Sequence, residues 1–361
     1  MTKRVYNFYA GPATLPLPAL EKAREELLDF AGTGMSILEI SHRSKEYDKM
    51  HNEATKLIRE LMEIPEEYKV LWLQGGASSQ FFMAPVNLQM PGKPMQYVDT
   101  GTWSSKALKE AKLYGEVQVV ASSEDDNYSY IPKDVGFSEN AAFAHITSNN
   151  TIYGTQWQRW PEVPDSVPLV CDMSSDLLAR RINVKDFGVI YAGAQKNLGP
   201  AGVTLVVLRE DLVERVAEDV PTLMKWKTEV EKNSLFHTPP CFAIYISKLA
   251  LEYWKEVGGI AKIEKQNREK AKILYDVIDG SDGFYRGHAR EDSRSLMNVT
   301  FTLANADLEA KAVAEGLEHD LVGLKGHRSV GGMRASIYNA MTMEGTKKLA
   351  EFMTRFKENN Q

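Results

Sequence analysis

Between residues 17 and 255 the chain keeps returning to short apolar runs of strand length, at 70–73, 96–99, 116–121, 142–147, 168–172, 187–192 and 203–208. Helical segments, among them 79–88 and 104–113, fall between these runs. Strand-like runs that alternate with helices build a mainly parallel sheet with helices on both faces. The expected fold is therefore α/β, with a large domain over residues 17–257 built on a helix-covered sheet of about seven strands. The last two runs are joined too closely for a parallel crossover, so they are expected to form an antiparallel pair at the sheet edge. From Gly258 the texture changes: a charged helix at 260–278, a strand at 296–303, a helix at 307–318, a loop at 323–332, a strand at 333–336 and a helix at 344–356. These predict a smaller α+β domain over 258–361, with residues 1–16 extended and crossing to it.

A chain of 361 residues can bury a large core and divide into two domains. No apolar stretch approaches the roughly 20 residues of a membrane-spanning helix, and Met1–Tyr9 lacks the apolar core of a secretion signal. A cytoplasmic location is expected by default. Cys171 and Cys241 are the only cysteines, which supplies neither a disulfide framework nor zinc spacing, and no metal site is expected. The net charge of −6 argues against binding to nucleic acid or to an anionic membrane. It also makes local clusters of positive charge informative.

Lys196 stands out within the strand pattern. It sits in Tyr191-Ala-Gly-Ala-Gln-Lys-Asn-Leu-Gly-Pro-Ala-Gly202, between two apolar runs and boxed in by small residues. Lysine is rarely buried without a partner, so this is either a turn lysine that reaches water or a lysine with a chemical task. Asp172 favours the second reading, because it ends the run 168–172 and the carboxyl ends of parallel strands line the ligand crevice. The pair suits pyridoxal phosphate. That cofactor needs a lysine amine for its Schiff base and a carboxylate to keep its pyridine nitrogen protonated. Helix capping by Asp172, helped by Ser174 and Ser175, is the plainer alternative.

Further features fit the same picture. The turn Leu73-Gln-Gly-Gly-Ala-Ser-Ser-Gln80 follows a strand and opens a helix, where small residues let an anion approach the backbone N–H groups. It carries neither GxGxxG nor a Walker lysine, so dinucleotide and triphosphate binding are unsupported. Trp103 offers a face for a planar ring, and Thr151 offers a hydroxyl for a ring oxygen. Two basic clusters, His42-Arg43 and the group Lys325, His327, Arg328 and Arg334, point to a small polyanionic substrate, since Arg binds carboxylate and phosphate through two parallel hydrogen bonds. Taken singly, each feature also fits a turn, packing or a solvated loop.

Together these stretches resemble the phosphoserine aminotransferases, a family of fold-type I pyridoxal phosphate enzymes in the class V aminotransferase group. The resemblance runs through Tyr6-Asn-Phe-Tyr-Ala-Gly-Pro-Ala13, Ile40-Ser-His-Arg43, the Lys196 stretch, Thr238-Pro-Pro240, Lys325-Gly-His-Arg328 and Gly331-Gly-Met-Arg-Ala-Ser-Ile-Tyr-Asn-Ala340, and so covers essentially the whole chain. It implies pyridoxal 5'-phosphate as cofactor and a homodimer with active sites shared across the interface. Lys196 would carry the Schiff base and act as general base, Asp172 would meet the pyridine nitrogen, Trp103 would stack on the ring and Thr151 would contact the 3′ oxygen. Gly76, Ala77, Ser78 and Gln195 would hold the cofactor phosphate, completed by His237 and Thr238 from the second subunit. Arg334 would take the substrate α-carboxylate. His42, Arg43, His327 and Arg328 would take the distal phosphate or carboxylate, the first pair donated across the dimer. The implied reaction moves the amino group of L-glutamate to 3-phosphohydroxypyruvate, giving O-phospho-L-serine and 2-oxoglutarate in serine biosynthesis, by ping-pong through pyridoxamine phosphate. In bacteria the family also serves pyridoxine biosynthesis.

The chain departs from the family pattern at Ser78, where some members carry Arg, and at His237, where some carry Asn. A same-fold alternative is a cysteine desulfurase or an alanine–glyoxylate aminotransferase. A desulfurase needs a mobile nucleophilic thiol, whereas Cys171 reads as strand-buried and Cys241 follows two prolines into a helix. A non-catalytic anion- or nucleotide-binding α/β protein is the alternative from another class.

Overall fold

In a computed structural model of the chain, residues 4–328 and 330–361 are described. Residues 1–3 of the expected N-terminal arm and Ser329 of the expected 323–332 loop lie outside them.

The central sheet has seven strands: β1 (Tyr68–Gly75), β2 (Met95–Asp99), β3 (Val117–Ser122), β4 (Phe143–Thr147), β5 (Leu169–Asp172), β6 (Val189–Gly193) and β7 (Gly202–Arg209), in the spatial order β1-β7-β6-β5-β4-β2-β3. All neighbours run parallel except β7, which is antiparallel to both β6 and β1. Side chains alternate between two cores. Val70, Trp72, Leu205 and Val207 join one, and Leu71, Leu73, Val206 and Leu208 join the other. Burial on both faces is what makes these strands read as unbroken apolar runs.

Helix Lys45–Met62 covers one face. Its buried residues Tyr47, Met50, His51, Ala54, Ile58 and Met62 recur at helical spacing. Ser44 caps it by accepting from the Tyr47 N–H at 3.2 Å, and Glu63 ends it in the left-handed conformation at φ 53°. Helix Ala77–Leu88 lies on the opposite face, its Phe81 and Ala84 packed with Leu71 and Leu73.

One expectation is corrected. The strand after Lys196 does pair antiparallel with the strand before it, but it is not at the edge. It lies between β6 and β1, with Gly202 opposite Gly75 and Arg209 opposite Tyr68. The reason is visible in its burial, since Val203–Leu208 is covered on both faces. A central place gives this run a hydrogen-bonded neighbour on each side as well as cover on each face. The far edge is taken by β3, where Val119 is 48% exposed.

A second, three-stranded antiparallel sheet pairs Asn298–Thr302 with Arg286–Gly287 on one side and Met333–Ser336 on the other. Helices Gly259–Asp279, Ala306–Glu318 and Met343–Asn360 contribute to its separate core around Leu274, Phe301, Ala335, Leu349 and Phe352. The N-terminal segment joins this core: Tyr6–Asn7 pairs in parallel with Leu321–Val322, and Phe8 is fully buried. The buried Lys270 gives three hydrogen bonds, to the carbonyls of Ile337, Tyr338 and Met341 at 3.0, 2.7 and 3.0 Å. It thereby pins the segment that follows Arg334.

Candidate active site

Asp172 is the last residue of β5 and is 6% exposed. Its Oδ1 accepts from the Ser174 N–H at 2.9 Å and the Ser174 hydroxyl at 2.6 Å. Among the described residues its Oδ2 takes no hydrogen bond. Burial pushes the carboxyl pKa up, against the charge of Lys196 and the Ser174 bonds. Lys196 shows the mirror image. Burial pushes its ammonium pKa down, Asp172 pulls it back up, and Arg334 lowers it again. Each charge thus steadies the other in a site that suits neither alone.

The turn carrying Lys196 is locked from two sides. Asn197 Nδ2 donates to the Ser175 carbonyl at 2.8 Å, and its Oδ1 accepts from the Asn339 N–H at 3.0 Å. The Gln195 carbonyl accepts from the Ala13 N–H at 2.8 Å, which brings the N-terminal arm to the same turn.

Trp103 projects from helix Thr102–Ala111, and its ring centroid is 5.3 Å from Lys196 Nζ. Its indole N–H donates to Thr151 Oγ1 at 3.0 Å, while the Thr151 carbonyl accepts from Arg334 Nη1 at 2.8 Å. Lys196, Trp103, Thr151 and Arg334 therefore form one continuous wall drawn from the loop after β6, a helix, the loop after β4 and the second sheet. Arg334 Nε is buried with no hydrogen-bond partner among the described residues, and it has no carboxylate beside it. Such a group awaits an anion.

The glycine turn forms the other wall. Gly76 opens helix Ala77–Leu88, whose first N–H groups lack helical acceptors. A Cβ on Gly193 would stand 2.8 Å from Gln195 Oε1 and 3.1 Å from the Ala77 nitrogen, so the bare backbone there brings the Gln195 amide against the helix start. Gln195 Oε1 is itself buried without a hydrogen-bond partner among the described residues, and Ser78 is exposed at the rim. The donors of this cup, the neighbouring lysine and the free oxygen of Asp172 fit the phosphate, aldehyde and pyridine nitrogen of pyridoxal phosphate.

His327 and Arg328 reach the site on a tight loop. The Gly326 N–H donates to the Gly332 carbonyl at 2.9 Å, and a Cβ on Gly326 would meet the Gly331 oxygen at 2.0 Å, so only glycine fits. The His327 pKa is pushed down, first by burial and then by Arg334, Arg328 and Lys106. Lys106 was not legible as a site residue, although its position one helical turn after Trp103 was a usable signal. Its Nζ lies 4.7 Å from the Trp103 ring centroid.

His42, Arg43, His237 and Thr238 form a second group, which meets the glycine turn at Gln74. The His42 pKa falls through burial, then through the charges of Arg43 and His237, which places the three together. His237 Nδ1 is 3.5 Å from the buried Glu229, and the Thr238 carbonyl accepts from Gln74 Nε2 at 2.5 Å. Among the described residues no hydrogen bond or ion pair joins this group to Lys196, Trp103 or Arg334. Cys171 is fully buried in β5, with its thiol pKa raised well above the usual value mainly by burial. It is no mobile nucleophile.

The Aminotransferase class-V family matches residues 5–349. The phosphoserine aminotransferase of Geobacillus kaustophilus is 56% identical over 98% of this chain and 99% of its own length. Among solved structures, a phosphoserine aminotransferase from Bacillus circulans subsp. alkalophilus superimposes with a TM-score of 0.98 at 50% identity, covering 100% of both chains. A pyridoxal phosphate-bound phosphoserine aminotransferase from Trichomonas vaginalis follows with a TM-score of 0.93 at 39% identity, over 97% of this chain and 100% of that one. The chain belongs to the class-V aminotransferases, in the phosphoserine aminotransferase family, and is a transferase that works with pyridoxal phosphate.

Proposed function

We propose that the protein transfers the amino group of L-glutamate to 3-phosphohydroxypyruvate, giving 2-oxoglutarate and O-phospho-L-serine in two ping-pong half-reactions. The observation that carries this reading is the contact chain from Lys196 through Trp103 and Thr151 to Arg334, which sets a lysine amine on one wall with a guanidinium whose Nε has no partner among the described residues. When bound, pyridoxal phosphate supplies an aldehyde that condenses with amines and a protonated ring that draws electrons from Cα. Gly76, Ala77, Ser78 and Gln195 would hold its phosphate. Asp172 would keep the ring nitrogen protonated through its free Oδ2. Trp103 and Thr151 would orient the ring, and Arg334 would receive the substrate α-carboxylate. Lys196, whose burial favours the neutral amine, takes the Cα proton as general base. Residues 17–257 would form the cofactor domain, with 1–16 and 258–361 as the small domain.

The working unit in this reading is a cytoplasmic homodimer. Among the described residues, His42, Arg43, His237 and Thr238 share no hydrogen bond or ion pair with Lys196 of their own chain, and Thr238 meets the glycine turn only at Gln74. They lie close in sequence to exposed apolar side chains, Leu38 at 65% and Phe236 at 40%, a composition that favours burial against another subunit. Across a two-fold axis the group would complete the cofactor cup and the distal anion site of the partner. His327 and Arg328 would add the other half of the distal site. One multi-cation pocket then serves a γ-carboxylate and a phosphate in turn. The test is a visible spectrum of the holoenzyme with product analysis. Glutamate alone should bleach the cofactor band, and 3-phosphohydroxypyruvate should then restore it with formation of O-phospho-L-serine. A band that ignores glutamate would refute the reading.

A further inference from the structure

We propose that Lys106 is a specificity-determining residue of this site, whose ammonium group meets the distal phosphate of the phosphorylated substrate and favours it over the γ-carboxylate of glutamate. The inference rests on the function proposed above and names a residue outside the sequence motifs. Lys106 leaves helix Thr102–Ala111 three residues after Trp103, on the same face. Its Nζ lies 4.7 Å from the Trp103 ring centroid, and Lys196 Nζ lies 5.3 Å from the same centroid. An aromatic face attracts an ammonium at this range and holds its flexible stem. The charge of Lys106 is felt at His327, together with those of Arg334 and Arg328. Lys106 thus bridges the ring end of the site and its distal cationic end.

What Lys106 does not do is equally informative. Glu110 follows it by four residues, the spacing at which a helix offers an ion pair. Helix pairs of this kind do form elsewhere, as Lys22 with Glu26 at 2.8 Å and Lys272 with Asp276 at 2.6 Å. Yet Lys106 has no carboxylate partner among the described residues, in a chain of net charge −6. Its charge is left available to the cleft. A phosphate ester carries roughly −1.5 to −2 at neutral pH, against one charge for a carboxylate. A compact ammonium therefore gains more from the phosphorylated substrate.

The test uses the holoenzyme and its Lys106→Met and Lys106→Arg variants, with each half-reaction followed separately. Lys106→Met should raise the KM for 3-phosphohydroxypyruvate about tenfold, the scale of one charge-assisted hydrogen bond. The KM for glutamate should change less than about threefold, since only one charge is held there. Lys106→Arg should restore most of the loss, and an unchanged cofactor spectrum would show that Trp103 still holds its ring. Equal losses for both substrates, or no loss at all, would overturn the role of Lys106. If the wild-type holoenzyme fails to turn over 3-phosphohydroxypyruvate, the proposed reaction itself falls instead.

Discussion

The two cationic ends of the molecule are built on opposite principles. Around Lys196 every group is held within one chain: Asp172 to Ser174, Asn197 to Ser175 and Asn339, Trp103 to Thr151, and Thr151 to Arg334. Around His42 and Arg43 little is closed. The Arg43 guanidinium has no hydrogen bond or ion pair among the described residues, and its neighbourhood in the chain carries the exposed Leu38. The difference follows the chemistry each end is proposed to do. Proton transfer needs a desolvated amine whose charge is balanced by a fixed carboxylate. Recognition of an anion that must enter and leave needs cations that water, substrate and a second subunit can all reach.

Breaking the closed end should have the larger effect. Lys196→Ala removes the amine placed beside Asp172, and turnover should fall by at least ~10²–10⁴-fold, the scale of general acid–base catalysis. Steady-state assay and loss of the visible cofactor band check this together; a near-normal rate would refute the assignment. Asp172→Asn keeps an oxygen for Ser174 but loses the carboxylate, and activity should fall on the order of 10²-fold, as for loss of one preorganised electrostatic group.

The same substitution sharpens the electrostatic argument. Asp172 raises the Lys196 pKa against the larger effect of burial, and Arg334 lowers it. Asp172→Asn should therefore lower that pKa further and increase the neutral amine at a given pH, while Arg334→Met should raise it and decrease the neutral amine. The pH dependence of Lys196 acylation in cofactor-free protein reads both shifts. Shifts of the same sign would break the account.

The open end should respond more gently and more selectively. Arg43→Ala should raise the KM for 3-phosphohydroxypyruvate by about tenfold, the scale of a charged hydrogen bond, with a smaller effect on keto acids lacking a phosphate. Equal effects would remove Arg43 from phosphate recognition.

Most of the large sheet was legible because its strands are buried on both faces, which leaves unbroken apolar runs. The place of β7 was not, because sheet order depends on pairing with β1, more than a hundred residues earlier in the chain. Two-residue strands such as Leu321–Val322 are too short to leave any periodic signal. At the site, Lys196 and Asp172 were legible because a charge at the end of an apolar run is costly and so conspicuous. Lys106 escaped for the opposite reason: a lysine on a mixed helix looks like any solvated side chain, and only the ring of Trp103 beneath it marks the difference. Asn197 and Asn339 escaped because their work is hydrogen bonding between distant segments, which spacing does not record.

The contrast between the ends makes one claim above all, that a complete site takes its closed end from one chain and its open end from another. Hybrid dimers of Lys196→Ala and Arg43→Ala chains, isolated through two different tags and assayed at low 3-phosphohydroxypyruvate, test it directly. Each hybrid would hold one site with both native residues and one with neither, so about half of the wild-type activity per dimer is predicted from the two-fold arrangement. A hybrid no more active than the average of its two parent variants would contradict the account.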